Sequence, residues 1–176
     1  MKILLLGGSK SGKSSLAQRL TKELAAGGPC IYWATMEPVD HEDEDRILRH
    51  LEDRAGLGFV TVERGRRLWE EPVSPEASVL FDSVTALLAN EMFGGGFDPS
   101  APLRARDELL ALSGRVENLV CVADEIFRDA MDYDETTEAY RRGLALVCRS
   151  LAEEFDAVAE VVCGEPKLYK GVLPAC

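Results

Sequence analysis

The stretch Lys2-Ile3-Leu4-Leu5-Leu6-Gly7-Gly8-Ser9-Lys10-Ser11-Gly12-Lys13-Ser14 decides the fold. Its first five residues are nearly all apolar, as expected of a strand buried on both faces of a parallel sheet. Gly7 to Ser14 then satisfies G-x-x-x-x-G-K-[ST] without a mismatch, and a helical spacing of Leu16, Ala17, Leu20 and Leu24 follows directly. Strand, glycine-rich loop and helix in that order form a P-loop, in which backbone N–H groups and a lysine surround phosphate oxygens. Within it Lys13 is expected to reach the β- and γ-phosphates and the Ser14 hydroxyl to ligate Mg²⁺. The helix N-terminus adds its dipole. Lys10 reads equally as a phosphate contact or a solvated loop residue.

Working outward, apolar runs and helical periods alternate along the chain. Gly27-Gly28-Pro29 ends the first helix, and Cys30–Ala34 is a second strand that leaves through Thr35. Asp40–Arg54 reads as a charged helix with one apolar face. Strands are expected over Phe59–Val62, Ser78–Phe81, Leu119–Ala123 and Ala157–Cys163, with a short last strand over Leu168–Leu173. Helices are expected over Ser83–Met92, Leu103–Val116 and Thr136–Phe155, with Gly94-Gly95-Gly96 breaking the first of these. Alternation of this kind predicts one domain over residues 1–176, a three-layer α/β P-loop NTPase with a mainly parallel central sheet.

Composition narrows the partners. The 176 residues carry 31 acidic and 20 basic side chains, a net charge of −11. Such a surface repels a phosphate backbone, which argues against nucleic-acid binding, while a P-loop can still hold a nucleotide by its local field. No apolar run approaches the roughly 20 residues of a bilayer span, and no leader pattern precedes the first strand, so a cytoplasmic protein without a membrane partner is expected. Cys30, Cys121, Cys148, Cys163 and Cys176 contain no C-x-x-C pair and read as reduced, buried thiols.

Two further positions carry candidate chemistry. Asp82 ends the Ser78–Phe81 run, where an acid can orient the Mg²⁺ shell or cap the helix that begins at Ser83. Asp124 and Glu125, after the Leu119–Ala123 run, compete for the metal-side role. His50 would share a helix face with Arg46 and Arg54, at i, i+4 and i+8. Two guanidiniums would hold the imidazole toward its neutral, nucleophilic form and could grip phosphates. A solvated charged face with an incidental histidine is nevertheless the commoner meaning of such a pattern.

Taken together, these residues resemble the bifunctional adenosylcobinamide kinase / adenosylcobinamide-phosphate guanylyltransferase family of cobalamin biosynthesis. The matching features are the loop at Gly7–Ser14, Ala34-Thr35 at a strand end, and Arg46-Ile47-x-x-His50-x-x-x-Arg54. Thr61 with Glu63, and then Asp82, Thr85 and Asn90, continue the match in order. The resemblance implies a RecA-like fold, His50 as a nucleophile that is guanylylated, and catalysis assisted by Lys13. It implies nucleotide contacts from Gly7, Gly8, Ser9, Lys10, Ser11, Gly12, Lys13, Ser14, Ala34, Thr35, Leu51, Glu52, Asp53, Arg54, Glu63 and Asp82, with Ser14 and Asp82 on the metal side. The implied substrates are GTP, ATP or both, and a corrinoid, cobinamide. The implied assembly is a homo-oligomer, a trimer. A kinase keeping one of the two activities, or a non-catalytic nucleotide-binding subunit, is the competing reading. The chain departs from the family where Arg49 replaces a second histidine. In Ala123–Tyr133 it keeps only Glu125 and Ile126 of the usual run.

Overall fold

The computed structural model describes residues 1–37, 56–129 and 131–175. The expected helix over Asp40–Arg54, with His50, Leu51, Glu52, Asp53 and Arg54, lies outside them. The strands are β1 (Lys2–Gly7), β2 (Cys30–Ala34), β3 (Val60–Glu63), β4 (Ser78–Asp82), β5 (Asn118–Asp124), β6 (Ala157–Val162) and β7 (Glu165–Lys170). The helices are α1 (Lys13–Ala25), α2 (Val84–Phe93), α3 (Ala101–Arg115) and α4 (Glu135–Glu154), with a 3₁₀ turn at Leu68–Glu70.

Among the described residues, seven strands form one sheet in the order β3-β2-β4-β5-β1-β6-β7, parallel except for the β6–β7 pair. Successive side chains of a strand point to opposite faces, and this sorts the core in two. Leu4, Trp33, Val79, Phe81, Leu119 and Cys121 pack with α2, α3 and α4 through Leu88, Leu109 and Leu151. Ile3, Leu5, Tyr32, Leu80, Val120 and Val122 pack on the other face with Leu16, Ala17 and Leu20 of α1. Both faces of the central strands are therefore covered, and burying each large side chain contributes about 1.5–3 kcal/mol before entropy is counted.

This layering fixes where a ligand can sit. Neighbouring strands β1 and β5 send their helices to opposite faces, α1 to one and α4 to the other. The chain parts at that point and leaves a crevice beyond the strands' C-terminal ends. Gly7 and Asp124 lie opposite each other in register at its lip.

The last strand differs from expectation. It begins at Glu165, three residues before Leu168, and runs antiparallel to β6. The two residues between, Cys163 and Gly164, have φ of 52° and 86°. Two left-handed residues in a two-residue loop make the tight hairpin turn whose twist matches its strands. An apolar-run reading catches only residues 168–170 of β7, because the strand is exposed along its length. The same turn places the Cys163 thiol at the surface, whereas Cys30, Cys121 and Cys148 are buried as expected. Burial raises the Cys121 thiol far above its ordinary value and pushes Cys148 up to about 12.

Candidate phosphate-binding site

The loop from Gly7 to Gly12 owes its shape to two glycines that have no room for a side chain. A Cβ on Gly7 would stand 2.6 Å from Ser11 Oγ and 2.8 Å from the Val161 carbonyl oxygen. One on Gly12 would stand 2.9 Å from the Gly164 Cα, and Gly12 also has φ of 92°. Lys10 takes a left-handed conformation as well and is exposed. Gly8 has open space where a Cβ would go. The Gly164 N–H donates to the Ser11 carbonyl at 2.8 Å, so the β6–β7 turn closes on the loop from outside.

Helix α1 starts directly from this loop. Gly12 is its N-cap and no side chain bonds to its first turn, so the first N–H groups keep free hydrogen-bonding capacity toward the crevice. Ser11 Oγ is buried and has no hydrogen-bond partner. A phosphate group would supply acceptors to all of these, and the arrangement fits one.

Lys13 is buried, and its Nζ donates to the Gly8 carbonyl at 3.1 Å. The same Nζ pairs with Asp124 Oδ1 at 2.8 Å. Asp124 is itself positioned by the fold: its N–H donates to Thr85 Oγ1 at 2.8 Å, and the next N–H, of Glu125, donates to the Gly7 carbonyl at 3.0 Å. Glu125 turns its carboxylate toward the Phe127 N–H at 2.9 Å. Of the acids named from sequence, Asp124 therefore stands at the lysine.

Asp82 lies at the tip of β4, one strand further from the loop, and accepts a hydrogen bond from the Tyr32 hydroxyl at 2.7 Å. It does not cap α2. Ser83 does, its Oγ accepting from the Ala86 N–H at 3.2 Å. Thr35 is buried, and its Oγ1 donates to the Ser83 carbonyl and accepts from the Ser83 N–H. Glu63 lies at the far rim with Met36, Glu37 and Arg64–Arg67, around a cavity of about 430 Å³. Ser14 sits in the first turn of α1, beside Lys13. No group of three or more His, Cys, Asp or Glu suited to a metal occurs among the described residues.

Sequence reading missed the part played by Gly164. The signal was present as a glycine after an apolar strand, but its partner is at the opposite end of the chain. Thr85 and Asn90, known from sequence only as family matches, emerge as fasteners. Asn90 Nδ2 donates to the Thr35 carbonyl at 2.6 Å and to the Gly65 carbonyl at 3.2 Å.

Residues 3–168 match the family described as cobinamide kinase / cobinamide phosphate guanyltransferase. The chain is 29% identical over 182 residues to the bifunctional adenosylcobalamin biosynthesis protein CobP of Pseudomonas aeruginosa, covering 97% of this chain and 98% of that one. It is likewise 29% identical over 179 residues to CobU of Salmonella typhimurium, covering 93% and 97%. Among solved structures, an ATPase from the type III secretion system of pathogenic bacteria superposes with a TM-score of 0.52 at 14% identity. It covers 90% of this chain and half of that one. This last likeness concerns the fold alone, and agrees with a three-layer P-loop architecture.

Proposed function

The chain belongs to the cobinamide kinase / cobinamide phosphate guanyltransferase family. On that premise we propose that it phosphorylates the side-chain hydroxyl of adenosylcobinamide and then transfers GMP from GTP to the new phosphate through His50. The observation that carries this reading is the family match over residues 3–168, a span that includes both the cradle at Gly7–Ser14 and His50.

The residues suit the two displacements. In the first, the hydroxyl oxygen bonds to the γ-phosphorus and gives up its proton to solvent as the bridge to the β-phosphate breaks. Lys13, the α1 N-terminus and the loop N–H groups offset the charge on the departing diphosphate. In the second, a His50 ring nitrogen bonds to the α-phosphorus and pyrophosphate leaves. The corrinoid phosphate then takes the GMP and frees the imidazole, so that one hard transfer becomes two easier ones. Mg²⁺, held by phosphate oxygens with Ser14 and an acid at a strand tip (Asp82 or Asp124), would neutralise charge on the phosphates. Ala34, Thr35, Leu51–Arg54 and Glu63 complete the proposed nucleotide contacts. We extend the reading to a homotrimer acting in the cytoplasm, which light scattering on the purified protein tests for assembly.

The decisive experiment incubates the protein with Mg²⁺ and GTP labelled at the α-phosphate. Acid-labile, base-stable label on the wild type and none on His50→Ala is expected; an unlabelled wild type refutes the transfer step. The kinase step is tested separately by Lys13→Ala, which should lose phosphorylation of cobinamide with an unchanged circular-dichroism spectrum.

A further inference from the structure

The ammonium group that a P-loop offers to incoming phosphates is, in this chain, already held by a carboxylate. Lys13 Nζ lies 2.8 Å from Asp124 Oδ1 in a pair whose side chains are 11% and 30% exposed. The two partners are not equally free to move. Asp124 is the last residue of β5, opposite Gly7 in register, with its N–H bound to Thr85 and its neighbour's N–H bound to the Gly7 carbonyl. Lys13 hangs on a four-carbon stem with three rotatable donors. When a polyphosphate arrives, the lysine can turn to it, and the carboxylate stays at the lip of the crevice.

What happens next depends on the charge of the incoming group. A metal-free triphosphate gains Lys13 but brings its negative charge up against Asp124 without a counter-ion between them. Like charges at such range oppose ionised binding strongly when the site is partly shielded from water. A Mg²⁺-complexed triphosphate carries a divalent cation, toward which the same carboxylate is an attraction, directly or through a metal-bound water. We propose that Asp124 is a specificity-determining residue that makes this cradle reject free nucleoside triphosphate and accept its Mg²⁺ complex, using Lys13 as the group exchanged between carboxylate and phosphate. The proposal rests on the cradle binding a nucleoside triphosphate and is independent of the corrinoid.

The test uses the full chain and a fluorescent non-hydrolysable GTP analogue, titrated once with excess Mg²⁺ and once with EDTA. Wild type should bind the Mg²⁺ complex the more tightly. In Asp124→Asn, EDTA binding should tighten about tenfold while Mg²⁺ binding stays level or weakens, so the ratio of the two dissociation constants falls at least about tenfold. Asp129→Asn, which removes the same charge from the adjoining loop without touching Lys13, should keep the wild-type ratio. Asp124→Ser, smaller and neutral, should repeat the Asn result, which guards against a misfolded variant. An unchanged ratio in both Asp124 variants overturns the proposal, and so does an equal fall in Asp129→Asn, which would mean net charge alone is at work. Wild type that binds neither form sinks the nucleotide reading and the proposal with it, a result distinct from binding without discrimination.

Discussion

At the β1–β5 crevice the chain is held mainly by backbone. The Gly164 N–H meets the Ser11 carbonyl, Glu125 N–H meets the Gly7 carbonyl, and Gly12 lies where a single added carbon would strike Gly164. At the rim formed by the tips of β2 and β3 the joints are mostly side chains. Asn90 spans two carbonyls, Trp33 Nε1 donates to the Arg64 carbonyl at 2.9 Å, Arg66 pairs with Glu37 at 2.5 Å, and Arg64 pairs with Glu70 and Glu71. The difference teaches what each region tolerates. Backbone joints need particular residues only where a Cβ cannot fit, whereas side-chain joints depend on the identity of the donor and, in the ion pairs, of both partners.

The harshest way to break this contrast is Gly12→Val. A branched side chain at φ 92° against the Gly164 backbone combines left-handed strain with overpacking. Together these should cost roughly 2–5 kcal/mol in denaturant unfolding and abolish triphosphate binding. Asn90→Ala acts on the rim alone. It removes the donor shared by the Thr35 and Gly65 carbonyls. Expected are a loss of about 1–3 kcal/mol and a triphosphate affinity at the P-loop within about threefold of wild type. A large fall in affinity would show that the two regions act as one. The smallest effect belongs to Arg66→Ala. Its ion pair with Glu37 is partly exposed on both sides, so thermal or chemical unfolding should register less than about 1 kcal/mol.

Legibility in the sequence followed the same division. The β1 loop and the apolar strands were readable because their residues report local requirements: a left-handed backbone, close packing, burial on two faces. β2 was readable to the residue, and β4 and β5 to within one at each end. The β7 strand was misplaced because every one of its residues is exposed, which removes the apolar signal. The choice between Asp82 and Asp124 beside Lys13 was undecidable locally. It depends on β5 lying between β4 and β1 in the sheet, and strand order is a property of the whole chain. The Ser83 cap was within reach, since serine before an apolar helical run is the ordinary pattern, but Asp82 next to it gave an equally acceptable cap.

The turn at Cys163–Gly164 has a consequence for the order of events in folding. The phosphate loop lies at the beginning of the chain, yet the residues that press it into shape lie close to the end. Contacts between such distant positions require closure of a very long loop before they form, and they arrive late. During synthesis, the motif leaves the ribosome while β6 and β7 are still to be made. The cradle is thus written well before the turn that closes on it, so ligand capture reports that β6 and β7 have joined the sheet.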